Sequence, residues 1–198
     1  MKLFHSATSP FVRKVMACAI ARGIEGQITE MPTNPHESPA ALLAANPLSK
    51  VPCLITVDGM ALFDSPVICE FLDSIGGEIG MFPQGASRWR ALRLQAIGDG
   101  IMDAAVLHRG ESQRPREDAR DAVMVRQTAA VTRALDLLET DPPSLHLDIG
   151  SLTVACALEY LDLRMAHLNW REGRPRLAGW LAGIAGEPAL ARTAPPAA

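Results

Sequence analysis

Apolar and polar positions change rhythm several times within the first 75 residues. A short strand is predicted over "MKLFH" (1–5). Over 10–22 the apolar residues Phe11, Val12, Val15, Met16, Ala19 and Ile20 recur three and four apart, the spacing of one helix face, and Gly23 and Gly26 stop the pattern. "QITEM" (27–31) alternates as a strand does. "SPAALLAAN" (38–46) reads as a short helix that must end before Pro47. "PCLITV" (52–57) and "MALF" (60–63) flank "DG" (58–59), a strong hairpin signal, and "SPVICEFLDSI" (65–75) returns to helical spacing. The order β-α-β-α-β-β-α predicts one parallel crossover followed by a hairpin.

Beyond that point the pattern is helical throughout. A Gly/Pro-rich connector, "GGEIGMFPQGA" (76–86), leads into long amphipathic segments at about 87–110 and 117–139. "TDPPS" (140–144) breaks the chain, helices follow at about 151–168 and 175–185, and a Pro/Ala tail ends it. The division predicted is an α/β domain over 1–76, a linker over 77–86 and an all-α domain over 87–198. A groove between two lobes of different architecture is a natural ligand site.

Composition narrows the class. With 198 residues, 48% hydrophobic and 21% charged, the chain is long enough to bury a sizeable core. A net charge of −3 gives no reason to expect a nucleic-acid or anionic-membrane partner. Apolar runs stop well short of the ~20 residues that a membrane span needs. Cys18, Cys53, Cys69 and Cys156 are widely spaced, without CxxC, so neither a disulfide framework nor a metal site is expected. A cytoplasmic location is the expectation.

Three short motifs carry candidate chemistry. Ser9 precedes Pro10 at the start of the first helix. Serine is a favoured cap, and proline fits the first helical position, where no N–H is required. Ser38-Pro39 and Ser65-Pro66 repeat the pair, which favours plain capping. A helix start nevertheless exposes free N–H groups at the positive end of the dipole, where a thiolate is stabilised and a hydroxyl can donate to it. In "SKVPCL" (49–54), Pro52 opens a strand; a cis Val51-Pro52 bond would turn the Val51 backbone outward to pair with an extended peptide ligand. In "FDSPVI" (63–68), Ser65 at a helix N-terminus suits a carboxylate and Asp64 an ammonium group. Taken alone, each motif reads first as an ordinary cap or turn.

In combination, the three motifs followed by an all-helical second half resemble the glutathione S-transferase family. "NPLSKVPCL" (46–54) is similar to the family's Asn-Pro-Leu-Gly-Lys-Val-Pro-x-Leu segment, and "DSPVI" (64–68) to its Glu/Asp-Ser-x-x-Ile segment. "TSPFVRKV" (8–15) resembles the serine-type start of tau-like and many bacterial members, while "DGIMDA" (99–104) and "ARTAPP" (191–196) resemble the YibF-like bacterial branch. The resemblance implies a thioredoxin-like N-terminal domain, a helical C-terminal domain and a homodimer. It implies a transferase that activates bound glutathione, as co-substrate and without a metal, for attack on a small hydrophobic electrophile or a peroxide. The alternative is a glutathione- or ligand-binding protein with little catalysis.

Carried over residue by residue, Ser9 would sit beside the glutathione sulfur. Val51, with Pro52 behind it, would pair with the cysteinyl backbone. Ser65 would take the γ-glutamyl carboxylate, Asp64 the γ-glutamyl ammonium, and Lys50 would lie near the glycyl end. Asp99 would reach toward the ammonium across a dimer interface, or else be a buried cap or an exposed charge.

Some positions depart from the family's patterns. The only tyrosine is Tyr160, and Ser rather than Cys precedes Pro10. Ser6 rivals Ser9 because beta-type members carry a cysteine three residues earlier. Glu37 stands where tau-like members often have Lys, leaving His36 or Lys50 for the glycyl carboxylate. Val154 replaces the usual Asp of a capping box, so Ser151 is expected to cap without a reciprocal partner. Ile101, Met102, Ala105, Val106 and His108 are candidates for the electrophile groove or for helix–helix core. Trp89, Trp170 and Trp180 are expected to pack, and Arg88, Arg90 and Arg93 to form a solvated face or a dimer rim.

Overall fold

The structure, a computed structural model, describes residues 1–77 and 80–195. Two residues of the expected connector (78–79) and the last three of the Pro/Ala tail (196–198) lie outside the described residues.

Four strands form one sheet: β1 (Lys2–His5), β2 (Thr29–Pro32), β3 (Cys53–Ile55) and β4 (Ala61–Leu62), in the order β2-β1-β3-β4. β1 and β2 are parallel, with Lys2 beside Thr29, and the crossover between them is α1 (Pro10–Ala21). β3 and β4 make the expected antiparallel hairpin, with Gly59 at φ +89° in its turn. β1 also pairs antiparallel with β3, Phe4 lying opposite Cys53. That pairing decides the sheet order, and no local periodicity announces it.

Helix α3 (Ser65–Ile75) shares one face of the sheet with α1. Leu3 and Leu54 meet Val12, Val15, Ile68 and Leu72 there, all essentially without solvent exposure. The other face carries a smaller cluster of Phe4, Leu42 and Cys53 under the short helix α2 (Ala40–Ala45).

The second half consists of α4 (Ala86–Ser112), α5 (Asp118–Thr140), α6 (Ile149–Arg164), α7 (Pro175–Ile184) and a short α8 (Pro188–Ala191) inside the expected tail. The helix expected over 151–168 ends at Arg164 and continues as a separate 3₁₀ turn, Ala166–Leu168. α4 lies closely on α6, which accounts for two glycines. A Cβ at Gly150 would stand 2.6 Å from the Ala91 carbonyl oxygen, and one at Gly98 would stand 2.9 Å from the Thr153 backbone. Ile101, Met102 and Ala105 point into this seam at 1% exposure or less. They are core, not groove, because the apolar stripe of α4 is used up by its neighbour helix.

Three expectations about local structure are corrected. Ser38 does not cap α2: it sits at φ +46°, bonds the Ser49 hydroxyl at 2.9 Å and leaves Pro39 at the cap. Ser151 does have a reciprocal partner. Asp148 caps α6, accepting from the Ser151 N–H at 2.8 Å, while the Ser151 hydroxyl accepts from the Asp148 N–H at 2.9 Å. The box is inverted, with acid first and hydroxyl third. Trp170 and Trp180 are buried, their indole N–H groups donating to Asp162 and to the Ser144 carbonyl, but Trp89 is 71% exposed. Arg88 and Arg90 pair within the chain, with Glu70 and Asp141.

α1 is where the halves meet. Its buried Arg13 pairs with Glu159 of α6, and its Lys14 with Asp99 of α4 at 2.6 Å. The apolar side chains of α1 flanking these cations, Val12 and Val15 among them, belong to one core that extends into both halves.

Candidate active site

The sheet topology gathers the three motifs. Because Phe4 pairs with Cys53, the chain leaving β1 toward Ser9 runs out at the same end of the sheet at which Val51 and Pro52 enter β3. Because Leu54 pairs with Leu62, Asp64 and Ser65, which follow β4, emerge there too. Two helix N-termini, those of α1 and α3, therefore border one sheet end.

Ser9 is a true cap. Its backbone is extended (φ −79°, ψ 121°), and its Oγ accepts from the Val12 N–H at 3.3 Å. Its N–H donates to the Ser6 carbonyl at 3.0 Å, which fixes the turn. A hydroxyl that accepts from a helix N–H still has its own proton to donate. Capping and donation to an anion are therefore compatible in one side chain.

Before β3, Asn46 organises the approach. Buried at 1% exposure, it donates to the Lys50 carbonyl and accepts from the Leu48 N–H, both at 3.0 Å. The Val51-Pro52 bond is cis, and Phe63-Asp64 is cis as well. Among the described residues, neither the N–H nor the C=O of Val51 takes part in a hydrogen bond. Lys50 is exposed.

At α3 it is Asp64, not Ser65, that caps, its carboxylate accepting from the Ser65 N–H. Ser65 stands one place inside the helix, fully buried, and its hydroxyl has no partner among the described residues. A buried hydroxyl without a partner costs about 1–3 kcal/mol.

α4 contributes two carboxylates that the motifs did not reveal as a pair. Burial pushes the Asp99 carboxyl up from its ordinary range, against the opposing pull of the Lys14 ammonium; the Asp64 and Asp103 charges push it further. Asp103 is also held high, first by burial and then by Asp64, while Lys50 and Lys14 draw it down. The Asp64 charge thus contributes to raising both carboxyls of α4.

Two cavities border Ser9. One, of about 420 Å³, is lined by His5, Ser6, Ser9, Arg13, Met16 and Arg192 among others. A smaller one lies between Ser9, Pro10, Tyr160, Leu163 and the tail at Thr193–Pro195. Of the groove candidates on α4, Val106 remains exposed, and His108 stacks on His167, ring centroids 5.8 Å apart.

Lys14, Asn46 and Asp103 were missed from the sequence. Lys14 and Asp99 lie 85 residues apart, so no spacing rule links them. Asn46 carries the one available signal, as the first residue of "NPLSKVP".

A small mixed sheet with a cis-proline at the entrance of its third strand, flanked by helices and followed by a helical bundle, defines a thioredoxin-like protein with an appended all-α domain. Comparison with known proteins then fixes the family. Residues 8–75 match the model of the glutathione S-transferase N-terminal domain, and residues 105–183 that of the C-terminal domain. The chain belongs to the glutathione S-transferase family. It is 34% identical to the uncharacterized GST-like protein YibF of Escherichia coli K12, over 100% of both chains. Among solved structures, a glutathione transferase family member from Pseudomonas fluorescens Pf-5 with bound glutathione is 38% identical over 99% of both chains, with a TM-score of 0.91. The structure of a Pf-5 family member with bound S-(propanoic acid)-glutathione matches at 36% identity over 100% of both chains, with a TM-score of 0.87. Among the described residues no helix is long and apolar enough to cross a membrane.

Proposed function

We propose that the protein is a serine-type glutathione transferase. The observation that carries this reading is the Ser9 hydroxyl, whose oxygen is engaged by the Val12 N–H and whose proton is left for a ligand at a helix N-terminus. The Pf-5 neighbour with bound glutathione supports the ligand.

In this reading the Val51 backbone holds the cysteinyl part of glutathione in the manner of an added strand, with Pro52 fixing its direction. Ser65 and the first turn of α3 receive the γ-glutamyl carboxylate, and its arrival would give the buried Ser65 hydroxyl the partner it lacks. Asp64 faces the ammonium. Lys50 serves the glycyl carboxylate. Ser9 donates to the sulfur and, with the positive end of α1, lowers the pKa of the thiol, whose proton passes to solvent. The thiolate then forms a C–S bond with the electrophile; its leaving group departs or, in an addition, the adjacent carbon takes up a proton. Bringing the two reactants together at a tuned nucleophile accounts for the rate.

The electrophile is small, and the cavity beside Ser9 sets its character. Met16, Ile20 and Ile28 supply apolar wall, and the charges among them are balanced, with Arg192 paired to Glu25, Arg13 to Glu159 of α6, and Glu30 alongside. A homodimer joining the first domain of one chain to the helical domain of the other completes the reading. Exposed apolar side chains on both halves, Val57, Met60 and Val67 on one and Trp89 and Leu137 on the other, support it.

Steady-state conjugation tests the mechanism. Ser9→Ala is expected to lower kcat by about 10²–10³, the usual effect of removing one preorganised donor to a reacting anion. A loss of this size from Ser6→Ala, with Ser9→Ala nearly unaffected, would move the chemistry to Ser6.

A further inference from the structure

The chain between α2 and β3 closes on one buried side chain. Asn46 is 1% exposed. Its N–H donates to the Leu42 carbonyl at 2.7 Å and ends α2, and its own carbonyl accepts from the Ser49 N–H at 3.0 Å. Its side-chain amide accepts from the Leu48 N–H and donates to the Lys50 carbonyl, both at 3.0 Å. Ser49 is held at φ +51°, a conformation disfavoured for a residue with a Cβ, and its hydroxyl donates to the Pro35 carbonyl at 3.1 Å. The loop over 46–50 thus keeps one shape against local strain, with Asn46 at its centre.

The bond to Lys50 has a consequence one residue further on. A carbonyl and the N–H that follows it share one rigid peptide plane and, in a trans peptide, point in opposite directions. The Lys50-Val51 bond is trans. The Lys50 carbonyl is turned onto the buried Asn46, so the Val51 N–H is turned away from it. That N–H has no acceptor among the described residues. Rotating the plane would break the Asn46 bond and leave a buried amide donor without a partner, a cost that keeps the plane in place.

We propose that Asn46 is a positioning residue for ligand binding: by holding the Lys50 carbonyl, it presents the Val51 N–H to the cysteinyl carbonyl of glutathione. The inference rests on the glutathione reading given above, and adds to it a side chain that touches no part of the ligand. Without the Nδ2 donor, the Lys50-Val51 plane is free to turn. The fraction of molecules with the N–H outward falls, and apparent affinity falls with that fraction. Ser9, Asp64 and Ser65 stand at the starts of α1 and α3 and keep their places.

Calorimetry with two ligands separates aiming from general support of the fold. The first is glutathione. The second is γ-glutamylcysteamine, which keeps the γ-glutamyl group and the thiol but lacks the cysteinyl carbonyl and the glycine. Asn46→Asp keeps the side-chain shape and an acceptor for Leu48, and loses the donor to Lys50. Asn46→Ala loses the donor without adding a charge. Both are expected to weaken glutathione roughly three- to tenfold, the worth of one neutral hydrogen bond, and to leave γ-glutamylcysteamine unchanged. Equal weakening of both ligands would make Asn46 merely structural and overturn the inference. So would unchanged glutathione affinity, or an effect confined to Asn46→Asp, which would come from its added charge. If neither variant folds, amide hydrogen exchange in the native protein decides. The Val51 N–H is expected to exchange freely without ligand and to be protected by glutathione but not by γ-glutamylcysteamine. Protection already present without ligand, or none added by glutathione, would overturn the inference. A native protein that does not bind glutathione would overturn the glutathione reading itself, and the inference with it.

Discussion

The starts of α1 and α3 share a Ser-Pro dipeptide and put it to different use. At α1 the residue before the pair is solvent-exposed Thr8, so Ser9 takes the cap and its Oγ accepts from Val12. At α3 the preceding residue is Asp64, a strong cap itself, which takes the Ser65 N–H and pushes the serine one place into the helix. Ser9 is therefore half-buried beside two cavities, whereas Ser65 is fully buried with an unpartnered hydroxyl. One serine has its hydrogen bond in the free protein and a proton to spare. The other has none among the described residues. The residue before the dipeptide decides which.

The sharpest way to break this contrast is to truncate Ser65. Ser65→Ala is expected to weaken glutathione binding by about 1.5–3 kcal/mol, the worth of a hydrogen bond to a charged group, while thermal stability holds or rises slightly because no existing bond is lost. Calorimetry and thermal melting together read both parts. Lost stability with unchanged affinity would mean that the hydroxyl has a structural partner after all.

A smaller effect comes from a cap outside the groove. Asp148 and Ser151 bond reciprocally at the start of α6, with no part in the sheet-end site. Asp148→Ala should cost about 1 kcal/mol in denaturant unfolding and leave glutathione affinity untouched. Ser9→Ala should show a similar stability loss with a catalytic one added. That sum separates a helix start that only caps from one that also reacts.

The smallest expected effect concerns pH. Burial, followed by the charge of the stacked His167, holds the His108 imidazole below its ordinary range. The folded chain therefore takes up this proton at lower pH than the unfolded chain does. The corresponding stability is present above the unfolded-state value of about 6.5 and is lost as pH falls through the folded-state value. His108→Gln should flatten that decline in melts between neutral and mildly acidic pH, without altering activity at neutral pH. A decline just as steep in the variant would place its cause elsewhere.

How much of this could be read from the sequence follows physical range. Helix and strand periods are local, and α1 and α3 stand within a residue of where apolar spacing and caps put them. The β3-β4 hairpin is local through its Asp-Gly turn. The β1-β3 pairing is not local, and the gathering of the three motifs depends on it. The inverted capping box was hidden because acid and hydroxyl exchange places without changing its chemistry. Ile101, Met102 and Ala105 looked like groove candidates because a helix pattern identifies an apolar face but not its neighbour. The Lys14–Asp99 pair was out of reach for a similar reason: a lysine inside a helix pattern signals solvent until a carboxylate from another helix is placed against it.

The central claim is that the helix-capping hydroxyl of Ser9 stabilises a thiolate. The most direct measurement is the ultraviolet absorbance of the thiolate of bound glutathione, titrated against pH in the native protein, Ser9→Ala and Ser6→Ala. The expected result is a thiol pKa well below the ~8.5 of a free thiol in the native protein and in Ser6→Ala, returning toward that value in Ser9→Ala. A depressed pKa that survives Ser9→Ala and disappears in Ser6→Ala would contradict the account and leave Ser9 as a cap alone.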